Sequence, residues 1–153
     1  MIKVSSKLNA KDHVVVFVNS STSKKQVQEV LSSQYADLFQ LFKKANKIKE
    51  NAHCTIRTGL KPTDPWLIVI ELGNDKISQF RQLAGDVVRL MSDESKVQWV
   101  SVDSIPNWEL HLAQVIPMSS YKMPNQKSDN KKSSQTSHAI ISKNKLGVPL
   151  KII

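Results

Sequence analysis

The segment 66–103, WLIVIELGNDKISQFRQLAGDVVRLMSDESKVQWVSVD, changes its hydrophobic period twice. Residues 66–72 are an apolar run, rich in β-branched side chains and broken only by Glu71, which is typical of a strand buried on both faces of a parallel sheet. From residue 77 to residue 91 the apolar side chains recur at helical spacing, and residues 97–102 alternate again. The segment therefore predicts a βαβ unit with parallel strands.

The flanking segments extend this unit into a layered α/β fold. Residues 13–18, HVVVFV, are expected to form a strand, and residues 24–45 one long helix capped by Ser or Thr of the preceding turn. Residues 53–57 alternate like a short strand, and a further helix begins near Pro106, to be kinked or ended by Pro117. This order predicts a three-layer α/β fold, with a mixed, mostly parallel sheet and helices on both faces.

The composition changes near residue 120. The length of 153 residues suits one domain, and we expect residues 1–120 to form it, with residues 1–12 as a loose start or a short edge strand. Residues 121–153 contain a polar stretch without apolar period, which predicts a basic, partly disordered tail or linker. The hydrophobic residues from Ala139 onward could instead form a strand that docks back on the sheet, or they could equally begin a further segment that this sequence lacks.

The net charge of +9 lies mostly in that tail, because residues 119–153 hold seven lysines and one aspartate. A basic tail can contact nucleic acid through its phosphates, or it can simply be a solvated segment. The same two interpretations, a phosphate patch or a helix terminus that favours cations, apply to the lysines of residues 43–49. The candidate nucleic-acid contacts of the tail are Lys122, Lys127, Lys131, Lys132, Lys143 and Lys145.

Cysteine content and hydropathy indicate a cytoplasmic protein without a membrane partner. Cys54 is the single cysteine, so that no internal disulfide can form, which fits a reducing compartment. No apolar run approaches the roughly 20 residues that a membrane-spanning helix needs, and the first residues lack the apolar core of a secretory signal.

Motifs of known chemistry are missing from the sequence. The four histidines are far apart, and His53 and Cys54, as neighbours on a strand, should point to opposite faces instead of forming a pair. The four glycines form no phosphate-binding loop. Asp103 ends a strand, where it could serve a function, although capping a helix or holding a turn is favoured. The three tryptophans suit packing better than base stacking. We therefore predict no catalytic, cofactor-binding or metal-binding residue.

Three segments together resemble the N-terminal domain of the leucine aminopeptidase (cytosol aminopeptidase) family: WLIVIELG at 66–73, FRQLAGDVVRLM at 80–91 and VQWVSVD at 97–103. The segment 109–127, ELHLAQVIPMSSYKMPNQK, resembles the helix of that domain and the turn after it. The likeness covers roughly residues 10–128 and implies a macro-domain-like fold. The sequence departs from the family pattern at Met123, where an aromatic is usual, at Val115, where a glycine is usual, and at Pro117.

The resemblance also implies what the chain does. In that family two divalent metal ions and the catalytic residues belong to a separate C-terminal domain, whose signature Asn-Thr-Asp-Ala-Glu-Gly-Arg does not occur here. The resemblance therefore implies a non-catalytic domain with a structural or oligomer-supporting role, whose partner is a catalytic aminopeptidase domain or further copies of itself. Whether the chain acts as part of an enzyme stays open. The alternatives are a small basic nucleic-acid-binding module and a macro-like nucleotide binder, against which the shortage of glycine argues.

Overall fold

A computed structural model of the chain describes residues 2–5, 8–9, 11–50, 52–73, 76–92, 96–103, 105–120 and 136–141. From residue 66 to residue 120 strands and helices alternate, as the hydrophobic periods predict. The elements are β1 (Ile2–Ser5), β2 (His13–Asn19), α1 (Lys24–Val30), α2 (Ser33–Lys44), β3 (Ala52–Arg57), β4 (Trp66–Leu72), α3 (Lys76–Leu90), β5 (Lys96–Ser101), α4 (Trp108–Ser120) and β6 (Ser137–Ile141).

The described strands form one six-stranded sheet in the order β1-β6-β5-β2-β4-β3. Every neighbouring pair is parallel except β3 with β4, which is antiparallel. The strands of the predicted βαβ unit, β4 and β5, are parallel, but β2 lies between them and pairs with both. The predicted fold class, a mixed and mostly parallel three-layer α/β fold, is confirmed.

Two hydrophobic clusters, one on each face of the sheet, hold the layers together. Val15 and Phe17 of β2 belong to the cluster under α3 and α4, where the ring of Phe17 stacks on Phe80 with a centroid distance of 4.4 Å. Val14, Val16 and Val18 belong to the cluster under α1 and α2. Because successive side chains of a strand point to opposite faces, the unbroken apolar run of β2 is what both helical layers require.

The helix predicted for residues 24–45 is two helices, so this prediction is wrong. Leu31 ends α1 in an extended conformation, with φ −111° and ψ −171°, and Ser32 becomes the N-cap of α2. The Ser32 hydroxyl accepts a hydrogen bond from the Tyr35 backbone N–H at 3.4 Å. In a continuous helix the Tyr35 N–H would pair with a backbone carbonyl of the preceding turn. The Ser32 hydroxyl takes the place of that carbonyl, so that the helix can be interrupted here without proline or glycine.

The fourth helix does not end at Pro117. It begins at Trp108, after a turn in which Asn107 has φ 56°, and continues through Pro117 to Ser120. Pro117 is exposed and lies in the last turn. It has no N–H to pair with the carbonyl four residues earlier, and the packing of α4 on α3 and the sheet offsets this loss. Gly85 of α3 assists this packing, because a Cβ there would come within 2.8 Å of the Ser119 hydroxyl on α4.

Part of the predicted tail belongs to the sheet. β6 lies between β1 and β5, and Ile140 is fully buried in the α3/α4 cluster. The domain boundary predicted at residue 120 therefore leaves out a strand of the sheet. Residues 137–141 follow the alternative prediction, since they form a strand that docks back on the sheet. Residues 121–135 and 142–153 lie outside the described residues. Within the described part of the chain, no helix combines the length and hydropathy needed to cross a membrane.

Candidate functional site

The carboxyl ends of β2, β4 and β5 meet at one edge of the sheet. After β2 the chain passes to the α1/α2 face, whereas after β4 and β5 it passes to the α3/α4 face. Such a change of direction opens a crevice between neighbouring strands, and ligands of open α/β sheets usually bind there. This edge is therefore the first place where the fold could carry a site.

The polar side chains at this edge are held in a network within the chain. Asn19 Nδ2 donates to Asp103 Oδ1 at 2.9 Å, and Asn19 Oδ1 accepts from the backbone N–H of Ser21 at 2.8 Å. The Asn19 backbone N–H donates to Thr22 Oγ1 at 3.0 Å, which closes the turn after β2. Asp103 is 7% exposed, and its backbone N–H donates to the Phe17 carbonyl. These contacts support the turn-holding role for Asp103.

Glu71, which the sequence analysis did not single out as a site, is a second buried carboxyl group near this edge. It lies near the end of β4, 7% exposed, and burial raises its pKa, an effect that the nearby Lys43 opposes. The Lys43 ammonium itself donates to the carbonyls of Ser20 and Thr22 at 3.2 and 2.7 Å, and it lies 5.5 Å from the ring centroid of Phe39. Lys43 thus ties α2 to the turn after β2, which supports a structural role rather than a phosphate patch. The sequence did contain a signal for Glu71, because it is the one charged residue in the apolar run of residues 66–72.

The cysteine and its neighbouring histidine lie on opposite faces of β3, as predicted. His53 is exposed, whereas Cys54 is half-buried against the α1/α2 cluster. Burial raises the pKa of the Cys54 thiol, which lowers its thiolate fraction and hence its reactivity.

Three other histidines make contacts within the fold. His13 Nδ1 accepts from the Trp66 backbone N–H at 2.9 Å, and Arg81 Nη1 lies 3.3 Å from His111 Nδ1. His138 Nδ1 accepts from Trp99 Nε1 at 3.0 Å. Trp66 and Trp99 pack with the α3/α4 cluster, which agrees with the packing interpretation of the tryptophans.

Metal-ligating side chains do not converge in the described residues, where no three or more of His, Cys, Asp and Glu are placed to hold one ion. The six tail lysines predicted as nucleic-acid contacts all lie outside those residues, so that their role stays a prediction. The structure brings none of the predicted contacts into a described site. They are Lys122, Lys127, Lys131, Lys132, Lys143 and Lys145.

A cleft that the sequence analysis missed lies on the α1/α2 face where β1, β6 and β5 begin. Its volume is about 480 Å³. Gln98 of β5 is 2% exposed and forms its inner wall: Asn9 N–H donates to Gln98 Oε1 at 2.6 Å, and Gln98 Nε2 donates to the Asn9 carbonyl at 2.7 Å. This reciprocal pair fixes the loop before β2 as one side of the cleft. The lining residues are Lys3, Ser5, Leu8, Asn9, Asp12, Lys96, Val97, Gln98, Ser137 and Ala139.

Comparison with known proteins identifies a structural relative. No family model and no curated protein matches the sequence. Eighteen chains of solved structures match, among them a tomato leucine aminopeptidase mutant, which is 11% identical with a TM-score of 0.60. The match covers 93% of this chain and 32% of that one, so that the chain spans about a third of the length of the aminopeptidase. The chain therefore shares its fold with a part of leucine aminopeptidase.

Proposed function

We propose that the chain is a non-catalytic domain of the leucine aminopeptidase N-terminal type, and that its role is to support an oligomer. The observation that carries the proposal is the coverage of the structural match, nearly the whole of this chain against about a third of the aminopeptidase chain. A domain that corresponds to a minor part of a larger enzyme is expected to act through contacts with other domains or subunits. The sequence resemblance over roughly residues 10–128 supports the same assignment.

The outer face of α4 is the surface that we assign to this role. The helix is apolar on both sides: Leu112 and Ile116 are buried against α3 and the sheet, whereas Leu110 is 47% and Met118 69% exposed. Leu110 and Met118 lie about two helical turns apart and therefore share one face of the helix, with the polar Gln114 between them. Exposed apolar residues that cluster on one face are typical of interfaces between protein chains.

The proposal is tested by the mass of the purified chain in solution. We expect sedimentation equilibrium to show concentration-dependent association above the monomer mass of 17.2 kDa. The double variant Leu110→Lys and Met118→Lys should sediment as a monomer, whereas Leu60→Lys, at a fully exposed loop position, should associate like the wild type. A wild type that stays monomeric at every concentration would contradict the proposed role.

Catalysis is the second readout. We expect no hydrolysis of leucine amide by the purified chain with Zn²⁺, Mn²⁺ or Mg²⁺ added, and metal-dependent turnover would overturn the non-catalytic assignment. The alternative of a nucleic-acid-binding module stays a prediction, since its lysines lie outside the described residues.

A further inference from the structure

The cleft over the amino ends of β5 and β6 has the size and the wall of a small-molecule site. Its volume of about 480 Å³ lies within the roughly 300 to 1,000 Å³ of ligand pockets. Val100 and Ile141, further along the same strands, are covered by the α1/α2 cluster, so that the cleft begins where this helical layer ends. The buried Gln98 and its two hydrogen bonds to Asn9 make the inner wall a fixed surface.

Strand register places two lysines on the same face of the sheet around this cleft. Lys3 of β1 is aligned with Ala139 of β6, and Ala139 with Gln98 of β5, while Lys96 lies two residues before Gln98. Two interstrand spacings and a two-residue offset separate the lysine Cα atoms by roughly 12 Å. Two flexible four-carbon side chains can close around one ligand over such a span.

Both ammonium groups are available to a ligand. Lys3 and Lys96 are exposed, and neither forms an ion pair with another described residue. Asp12, on the loop side of the cleft, is the only acidic residue among the described lining residues. Two lysines and one aspartate give this lining one excess positive charge. Lys3 and Lys96 are the cationic residues of the described lining, and a lysine ammonium binds phosphate as a point charge.

We propose that this cleft binds a small phosphorylated compound, with Lys3 and Lys96 as the phosphate contacts. Gln98 acts as a positioning residue, since its side chain is engaged with the Asn9 backbone and holds the wall in place. The carboxylate of Asp12 repels the phosphate and therefore lowers the affinity of the cleft for it. The site is independent of the oligomer-supporting role, because it lies on the opposite face of the sheet from α4.

The experiment is a titration of the full ¹⁵N-labelled chain with inorganic phosphate and with glycerol 3-phosphate, followed by NMR. We expect saturable shifts of the Gln98 and Ala139 amides, with a dissociation constant of about 1 mM or tighter. Glycerol, the neutral control, should leave these amides in place. Shifts confined to residues 121–135 and 142–153 would mean that phosphate binds the basic segments on either side of β6, and they would overturn the proposal, as would no shift at all.

Matched variants separate the two lysines from general charge. Lys3→Gln with Lys96→Gln should weaken binding about tenfold or more, because two charge-assisted contacts are lost. Lys25→Gln with Lys49→Gln, at exposed positions outside the cleft, removes the same charge and should change binding less than twofold. Asp12→Asn should tighten binding about two- to fivefold, and this variant keeps the test decisive if the lysine variant fails to fold. Equal affinity in all three variants and the wild type would refute the assignment.

Discussion

His138 should make the stability of the fold depend on pH. Its side chain is 2% exposed, and its Nδ1 accepts the Trp99 Nε1 hydrogen bond at 3.0 Å. The imidazole is therefore neutral, with its proton on Nε2, and burial lowers its pKa to about 4. Protonation would place a charge in the apolar cluster and replace the acceptor with a second donor facing the indole N–H.

The size of the effect follows from the two pKa values. Between pH 6.5 and pH 4 the unfolded chain protonates His138 while the folded chain does not, so that the free energy of unfolding falls as the pH falls. The slope is about 1.4 kcal/mol per pH unit, which gives about 3 kcal/mol over the whole window and about 2 kcal/mol between pH 7.5 and pH 5. Above pH 6.5 the contribution is complete, and below pH 4 no more is lost.

The assay is urea unfolding at pH 7.5 and pH 5 of the wild type and of two variants. His138→Gln keeps an oxygen that can accept from Trp99 but cannot titrate, so it should lose about 2 kcal/mol less than the wild type on acidification. His53→Gln, at an exposed position of β3, should lose as much as the wild type. If His138→Gln were as sensitive to acid as the wild type, the reasoning would be refuted.

Two further predictions concern hydrogen bonds that join distant or neighbouring segments. Ser32→Ala should lower the free energy of unfolding by about 1 kcal/mol, because α2 loses its N-cap, whereas Ser33→Ala at the next, exposed position should leave it nearly unchanged in thermal unfolding. Gln98→Ala should cost about 2 kcal/mol in urea unfolding, because both bonds to Asn9 are lost, while Gln82→Ala on the exposed side of α3 serves as the control. Equal losses within either pair would show that the named hydrogen bonds do not carry the stability.

The central elements of the fold could be predicted from sequence because each has a period of its own. β2 and β4 are continuous apolar runs, and α3 repeats at helical spacing, so that local patterns and tertiary burial agree. The expected positions of Cys54 and Asp103 followed equally from local rules, the alternation of a strand and the end of a strand.

The elements that could not be predicted depend on partners far away in sequence. The apolar spacing of residues 24–45 passes through Ser32 without a break, and only the packing of two helices on the sheet decides that the serine caps a new helix. β6 is five residues long and gains its stability from β1 and β5, neither of which is adjacent to it in sequence. The cleft could not be predicted from the sequence either. Gln98 lies between two apolar residues, which is the ordinary alternation of a strand, and only the fold shows that it binds the Asn9 backbone.

The position of β6 sets an order for folding during synthesis. Of the six described strands β1 leaves the ribosome first, yet its neighbour in the sheet is β6, which leaves last. Until residues 137–141 emerge, β1 has no strand to pair with, and the edge of β5 that later receives β6 offers unpaired backbone groups. Such a late, long-range closure is slow. A nascent chain paused before β6 would therefore expose one apolar strand edge, and this is the stage at which we expect the protein to need protection against aggregation.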